Sequence, residues 1–104
     1  MDHLEFDFVG HGNPPRRSHA LVGVVGSGNL EVLLERAELA GNCQAVVDTS
    51  IRGFDTLWQR VLTDFVNRHG LADVRISVND GGATPAVVTL RLDQAAAEIK
   101  EDRL

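Results

Sequence analysis

Apolar and polar residues alternate from Leu4 to Val9, with Leu4, Phe6 and Phe8 on one side and Glu5 and Asp7 on the other. A period of two predicts a half-buried strand. Gly10-His11-Gly12-Asn13-Pro14-Pro15 then breaks the pattern as a loop, since proline offers no ladder donor. A second strand is expected from about Ala20 to Val25 and a third from Leu30 to Leu34, joined by Gly26-Ser27-Gly28-Asn29. Two apolar runs about a short Gly-rich break read as a β-hairpin. Arg36 to Asn42 reads as a connecting turn, and Gln44 to Ser50 as a fourth strand. Phe54, Leu57, Trp58, Val61, Leu62, Phe65 and Val66 recur at helical spacing and form one wide apolar face. Gly70 stands where that helix should stop. Val74, Ile76 and Val78 alternate with Arg75 and Ser77, giving a fifth strand.

The last segment carries two signals. Val88, Leu90 and Leu92 alternate as in a strand, yet Thr84-Pro85 is a good N-cap followed by Pro at the first helical position. Asp93 to Lys100 is rich in Ala and Glu, which favours helix. The reading adopted is one helix from Pro85 to about Lys100. The order βββ(β)αβα then predicts a single α+β domain over 1–104. Its expected architecture is a two-layer sandwich, a mainly antiparallel sheet with two helices on one face.

Composition narrows the class. Hydrophobic residues make up 43% of the chain and aromatics 5%, so the core must be built largely from Val, Leu, Ile and Ala. A net charge of −5 is wrong for a nucleic-acid binder, whose affinity comes largely from Lys and Arg. Cys43 is the one cysteine, so no intramolecular disulfide forms, which fits a reducing compartment. The start has neither a basic nor an apolar signal region, and no apolar run approaches membrane-spanning length. A cytoplasmic location with no membrane partner is the expectation.

The stretch that points to chemistry is Gly26-Ser27-Gly28. A serine between two glycines at a hairpin tip has an exposed hydroxyl, flexible backbone and room for another protein to approach. A modification site needs these features. The same residues are also ordinary turn formers, and the local sequence alone favours a plain turn. Other glycine motifs fail on detail. Glu31 stands where a dinucleotide fingerprint needs its third glycine, and no Lys precedes Lys100 to complete a P-loop. A nucleophile elbow needs glycines at positions 25 and 29, which are Val25 and Asn29. Ser27 therefore has no visible activating machinery, which argues against a serine hydrolase. His3, His11, His19 and His69 show no metal-ligand spacing, with one another or with Cys43. His19 beside Arg16-Arg17 could meet a phosphate, but solvated charges are the simpler reading. Asp80-Gly81-Gly82 reads as a turn, Asp55 and Asp64 as surface charge, and Trp58 as core.

Three separated segments together resemble one family. They are Ala20 to Leu33 around Ser27, Trp58-Gln59 in the long helix, and Gly82 to Gln94. In the same order, and over about 20–94, they resemble the malonate decarboxylase acyl carrier (delta) subunit. The citrate lyase acyl carrier (gamma) subunit is a more distant likeness, and its last segment is helical. Departures are Asn29 where Asp is expected, Asn79-Asp80-Gly81 where His-Asp-Phe is expected, and Ala86 in place of Gly. The stretch through Arg17 matches poorly and carries no assignment.

The resemblance implies a non-catalytic carrier. Ser27, flanked by Gly26 and Gly28, would be a phosphoprotein site bearing 2'-(5''-phosphoribosyl)-3'-dephospho-coenzyme A through a phosphodiester. The thiol of this phosphopantetheine-type arm would hold acetyl, then malonyl, as a thioester in malonate catabolism. Implied partners are the transferase (alpha) and decarboxylase (beta, gamma) subunits and a prosthetic-group transferase. The competing reading is a protein-binding or regulatory module in which Gly26-Ser27-Gly28 is only a turn.

Overall fold

The computed structural model describes residues 1–101, so the end of the domain expected over 1–104 lies outside the described residues. Five strands, β1 (Asp2–Phe8), β2 (His19–Gly23), β3 (Leu30–Arg36), β4 (Cys43–Thr49) and β5 (Val74–Asp80), form one sheet in the order β1-β4-β5-β3-β2. Helices α1 (Asp55–His69) and α2 (Pro85–Ile99) complete the chain. The α+β expectation stands, with one refinement. β4 and β5 pair parallel in a sheet whose other pairs are antiparallel. A parallel pair needs a crossover, and α1 is that crossover.

One sheet face is apolar and covered. Cys43, Ala45 and Val47 of β4 align with Val74, Ile76 and Val78 of β5, and Leu34 and Val32 of β3 continue the rows. All eight are buried. Against them α1 packs Trp58, Leu62, Phe65 and Val66, and α2 packs Val88, Leu92, Ala95, Ala96 and Ile99. The other face carries Glu5, Gln44, Asp48, Arg75, Ser77 and Glu31, none of them buried. This alternation pins the register, because a one-residue slip would send every apolar side chain to the wrong face.

Both helix ends follow the sequence signals. Gly70 is left-handed (φ 59°) after α1, and Leu71 N–H reaches back to Val66 O at 3.2 Å, satisfying a terminal carbonyl. At the start of α2, Thr84 Oγ1 accepts from Val87 N–H at 3.4 Å, and Pro85 follows at N1. The helical reading of 85–99 therefore holds over its strand-like alternation. Val88 and Leu92 are buried on one side of the helix, while Leu90, which a strand would have put in line with them, is 50% exposed on the other.

Candidate functional site

The hairpin break sits at one end of the sheet, beyond the ends of β2, β4 and β5 and the start of β3. β2 ends at Gly23, two residues short of the Ala20–Val25 expectation. Gly23 has φ +84°, and a Cβ there would lie 2.2 Å from Leu30 O, so strand geometry stops at this residue. Val24 and Val25 leave the sheet and are each 61% exposed.

A four-residue turn follows. Asn29 N–H donates to Gly26 O at 3.1 Å, placing Ser27 and Gly28 at its two central positions. Gly28 has φ +73°, which L side chains resist, so glycine is required there by conformation. Gly26 differs. Its φ is unexceptional and a Cβ would meet nothing within 4 Å. The fold does not require a glycine at 26; its effect is to leave space beside Ser27.

The turn is braced from below by the β5–α2 link. Gly28 N–H donates to Gly81 O at 2.9 Å, and Gly81 N–H donates to Asn29 O at 2.9 Å. A Cβ on Gly81 would fall 2.0 Å from Gly26 O. A side chain such as the Phe expected at 81 has no room in this arrangement. Asn29 Oδ1 accepts from Leu30 N–H at 2.8 Å, a role that the expected Asp would also fill. The link is itself held by buried Asp80. Its Oδ2 accepts from Thr49 Oγ1 at 2.8 Å, and its Oδ1 accepts from the N–H groups of Gly82 (3.1 Å) and Ala83 (2.9 Å). Asp80-Gly81-Gly82 is thus a structural turn, as the sequence suggested.

Ser27 is exposed, and its Oγ has no hydrogen-bond partner among the described residues. Among the described residues, no hydrogen bond joins Ser27 to a histidine or a carboxylate. His3, near this end of the sheet, is engaged on the open face with Asp48 at 2.5 Å and Glu5 at 3.1 Å. These contacts, Asp48 first, raise its pKa above the ordinary 6.5. His19 begins β2, about 13 Å of strand away from Gly23, and Arg17 pairs with Glu98 at 3.6 Å. That end of the sheet does not serve Ser27. His69 binds Asp93 at 2.8 Å and ties α1 to α2.

Two features were not anticipated. Arg91 of α2 runs against the foot of the hairpin, its Cδ 3.4 Å from where a Gly23 Cβ would be. Its Nε is buried without a partner, while Nη1 donates to Gln94 Oε1 at 3.1 Å. Secondly, a cleft of about 360 Å³ separates the N-terminal halves of the helices. Ile51, Phe54, Leu57, Trp58 and Val61 line one side, and Ala83, Pro85, Val88 and Thr89 the other, with Thr49 and Asp80 at the sheet. The sequence signal for it was the width of the α1 stripe. Phe54 and Leu57 belong to that stripe yet stay about half exposed, at 47% and 48%.

Comparison with known proteins agrees with this geometry. The family described as "Malonate decarboxylase delta subunit (MdcD)" matches residues 17–99. A malonate decarboxylase acyl carrier protein of Burkholderia cepacia is 58% identical over 99 residues, covering 95% of this chain and 91% of the relative. One from Stenotrophomonas maltophilia K279a is 54% identical over 96 residues, covering 91% of each. A chain in the crystal structure of a Pseudomonas malonate decarboxylase hetero-tetramer in complex with malonate superposes with a TM-score of 0.83. It is 41% identical, with 95% of this chain and 99% of that chain covered. An exposed serine on a domain of this fold and likeness suits an acyl carrier subunit: the chain belongs to the malonate decarboxylase acyl carrier (delta subunit) family.

Proposed function

We propose that Ser27 Oγ is the attachment point of phosphoribosyl-dephospho-coenzyme A, and that the loaded chain carries acetyl and malonyl groups between malonate decarboxylase subunits. The observation that carries this reading is the exposed, unbonded Ser27 hydroxyl on a turn braced by Gly81. When attached, the group supplies a distal thiol on which acyl groups travel.

The chain's own residues present the anchor. The Gly28–Gly81 and Asn29–Gly81 hydrogen bonds hold the turn, so Ser27 projects in a defined direction. Gly26 keeps the approach open for the modifying enzyme, which must supply the base that deprotonates Oγ. Val24 and Val25 offer an apolar rim beside the serine for that enzyme and for partner subunits to contact. The phosphodiester introduces an anion, and Arg91, packed against the hairpin foot at Gly23, contributes positive charge to that region. Tethering raises the effective concentration of the carried acyl group at each partner's active site. The proposed partners are the alpha, beta and gamma subunits and a prosthetic-group transferase, in a cytoplasmic setting. Buried, unpaired Cys43 is consistent with that setting, as is the lack, among the described residues, of a helix long and apolar enough to cross a membrane.

The test is reconstitution of the complex with Ser27→Ala. Loss of malonate decarboxylation, with subunit association and circular dichroism unchanged, is the expected result. Full activity in that variant would refute the assignment.

A further inference from the structure

We propose that the apolar cleft between α1 and α2 seats the purine of the arm on Ser27, holding the arm's base on the carrier while its thiol end moves freely. This rests on the function proposed above. Three observations lead to it.

The first is continuity. The Ser27 turn rests on Gly81, and the next residue, Gly82, lines the cleft, where its Cβ position lies 3.8 Å from Ile51 Cδ1. From Ser27 the path to the cleft edge runs one residue to Gly28, across the 2.9 Å Gly28–Gly81 hydrogen bond and one residue on to Gly82, on the order of 10 Å in all. The arm's covalent order is phosphate, ribose, nucleoside, diphosphate and thiol-bearing tail. Two pentoses separate the phosphate from the purine, enough to span that gap. The tail must leave the carrier to visit partners, whereas the purine has no such errand.

The second is chemistry. Ile51, Phe54, Leu57, Trp58 and Val61 face Pro85 and Val88 across a space of about 360 Å³, larger than a purine and open to solvent. Apolar walls suit the flat faces of a heterocycle, while the Thr49 hydroxyl at the floor is already held by Asp80 and Ile51 N–H and leaves the base to be gripped by its faces.

The third is placement. The cleft lies outside the carboxyl ends of the parallel pair β4 and β5, where Thr49 and Asp80 end their strands. Crevices at such ends recurrently bind nucleotides in sheets with parallel strands.

Trp58 is the chain's one tryptophan, so its fluorescence reads the cleft directly. The experiment compares the isolated full chain before and after loading by its modifying enzymes, with intact mass recorded on each sample. Loading is expected to quench Trp58 emission, to lower its accessibility to acrylamide, and to give nuclear Overhauser contacts from purine protons to Val61 and Leu57 methyl groups. Leu57→Glu charges a half-exposed wall position. It should accept the mass normally, keep its melting temperature, and lose all three signals. A chain that has gained the mass but shows emission, quenching and Overhauser contacts identical to the unloaded form overturns this proposal alone. So does a Trp58 change that appears only when partner subunits bind, whether or not the chain is loaded. A chain that never gains the mass overturns the underlying function, and this proposal with it.

Discussion

Gly81 and Gly26 meet backbone to backbone, so closely that a Cβ on Gly81 would lie 2.0 Å from the carbonyl oxygen of Gly26. Neither residue bears the chemistry, but their contact sets the position of Ser27. Gly81→Ala must push the turn off β5 and break the Gly28–Gly81 bond. We expect a stability loss of about 1–3 kcal/mol by urea denaturation, as for other forced overpacking. Attachment of the arm should slow in parallel, read by mass against time.

The two glycines beside Ser27 should separate structure from access. Gly28→Ala forces a side chain into φ +73° and should cost about 1–2 kcal/mol. Gly26→Ala meets open space and should leave the melting temperature nearly unchanged. It should nonetheless slow modification, since the new methyl stands where the modifying enzyme approaches. Equal modification rates for Gly26→Ala and the parent chain would show that access is not what this glycine provides.

Asp80 is the buried carboxylate that shapes the link under the turn. Asp80→Ala strands Thr49 Oγ1 and two backbone N–H groups. A loss of about 2–4 kcal/mol is expected for breaking charge-assisted buried bonds. Hydrogen exchange should show the amides of Gly82 and Ala83 unprotected, while those of β4 and β5 away from the link keep their relative order.

Two groups give stability opposite pH dependences. Backbone N–H donors of Gly41 and Leu39, each 2.9 Å from Oδ1, hold Asp73 below its ordinary 3.8. Its contribution is present above 3.8 and disappears as pH falls through the depressed value. Asp48, and then Glu5, raise His3 above 6.5. That contribution is complete below 6.5 and is lost as pH rises through the raised value. Asp48→Asn should move the His3 titration, followed by its ring-proton shifts, back towards 6.5. Asp73→Asn should flatten the acid limb of stability without touching the neutral range.

Much of this was legible in the sequence, because elements and apolar periods coincide. The alternation in β1, β3 and β5, the stop at Gly70 and the cap at Thr84 each depend on neighbours within a few residues. Ser27 stood out for the same local reason. What escaped depends on distant partners. The parallel β4–β5 pairing joins strands across a whole helix. The positive φ that ends β2 at Gly23 comes with a close approach to Leu30 O across the hairpin, which leaves no room for a Cβ. The cleft lies between the N-terminal halves of the helices, away from where His69 and Arg68 of α1 both bind Asp93 of α2, at 2.8 and 3.1 Å, an arrangement of two segments far apart in the chain. Only the surplus width of the α1 apolar stripe hinted that some of it would remain uncovered.

The central claim is that the Ser27 hydroxyl anchors the arm. The direct measurement is the intact mass of the chain co-produced with its modifying enzymes, followed by fragmentation to locate any added group. The account predicts one adduct, far heavier than a phosphate, on the peptide containing Gly26-Ser27-Gly28, and none in Ser27→Ala. An active complex whose carrier has the unmodified mass, or bears the adduct on another residue, would contradict it.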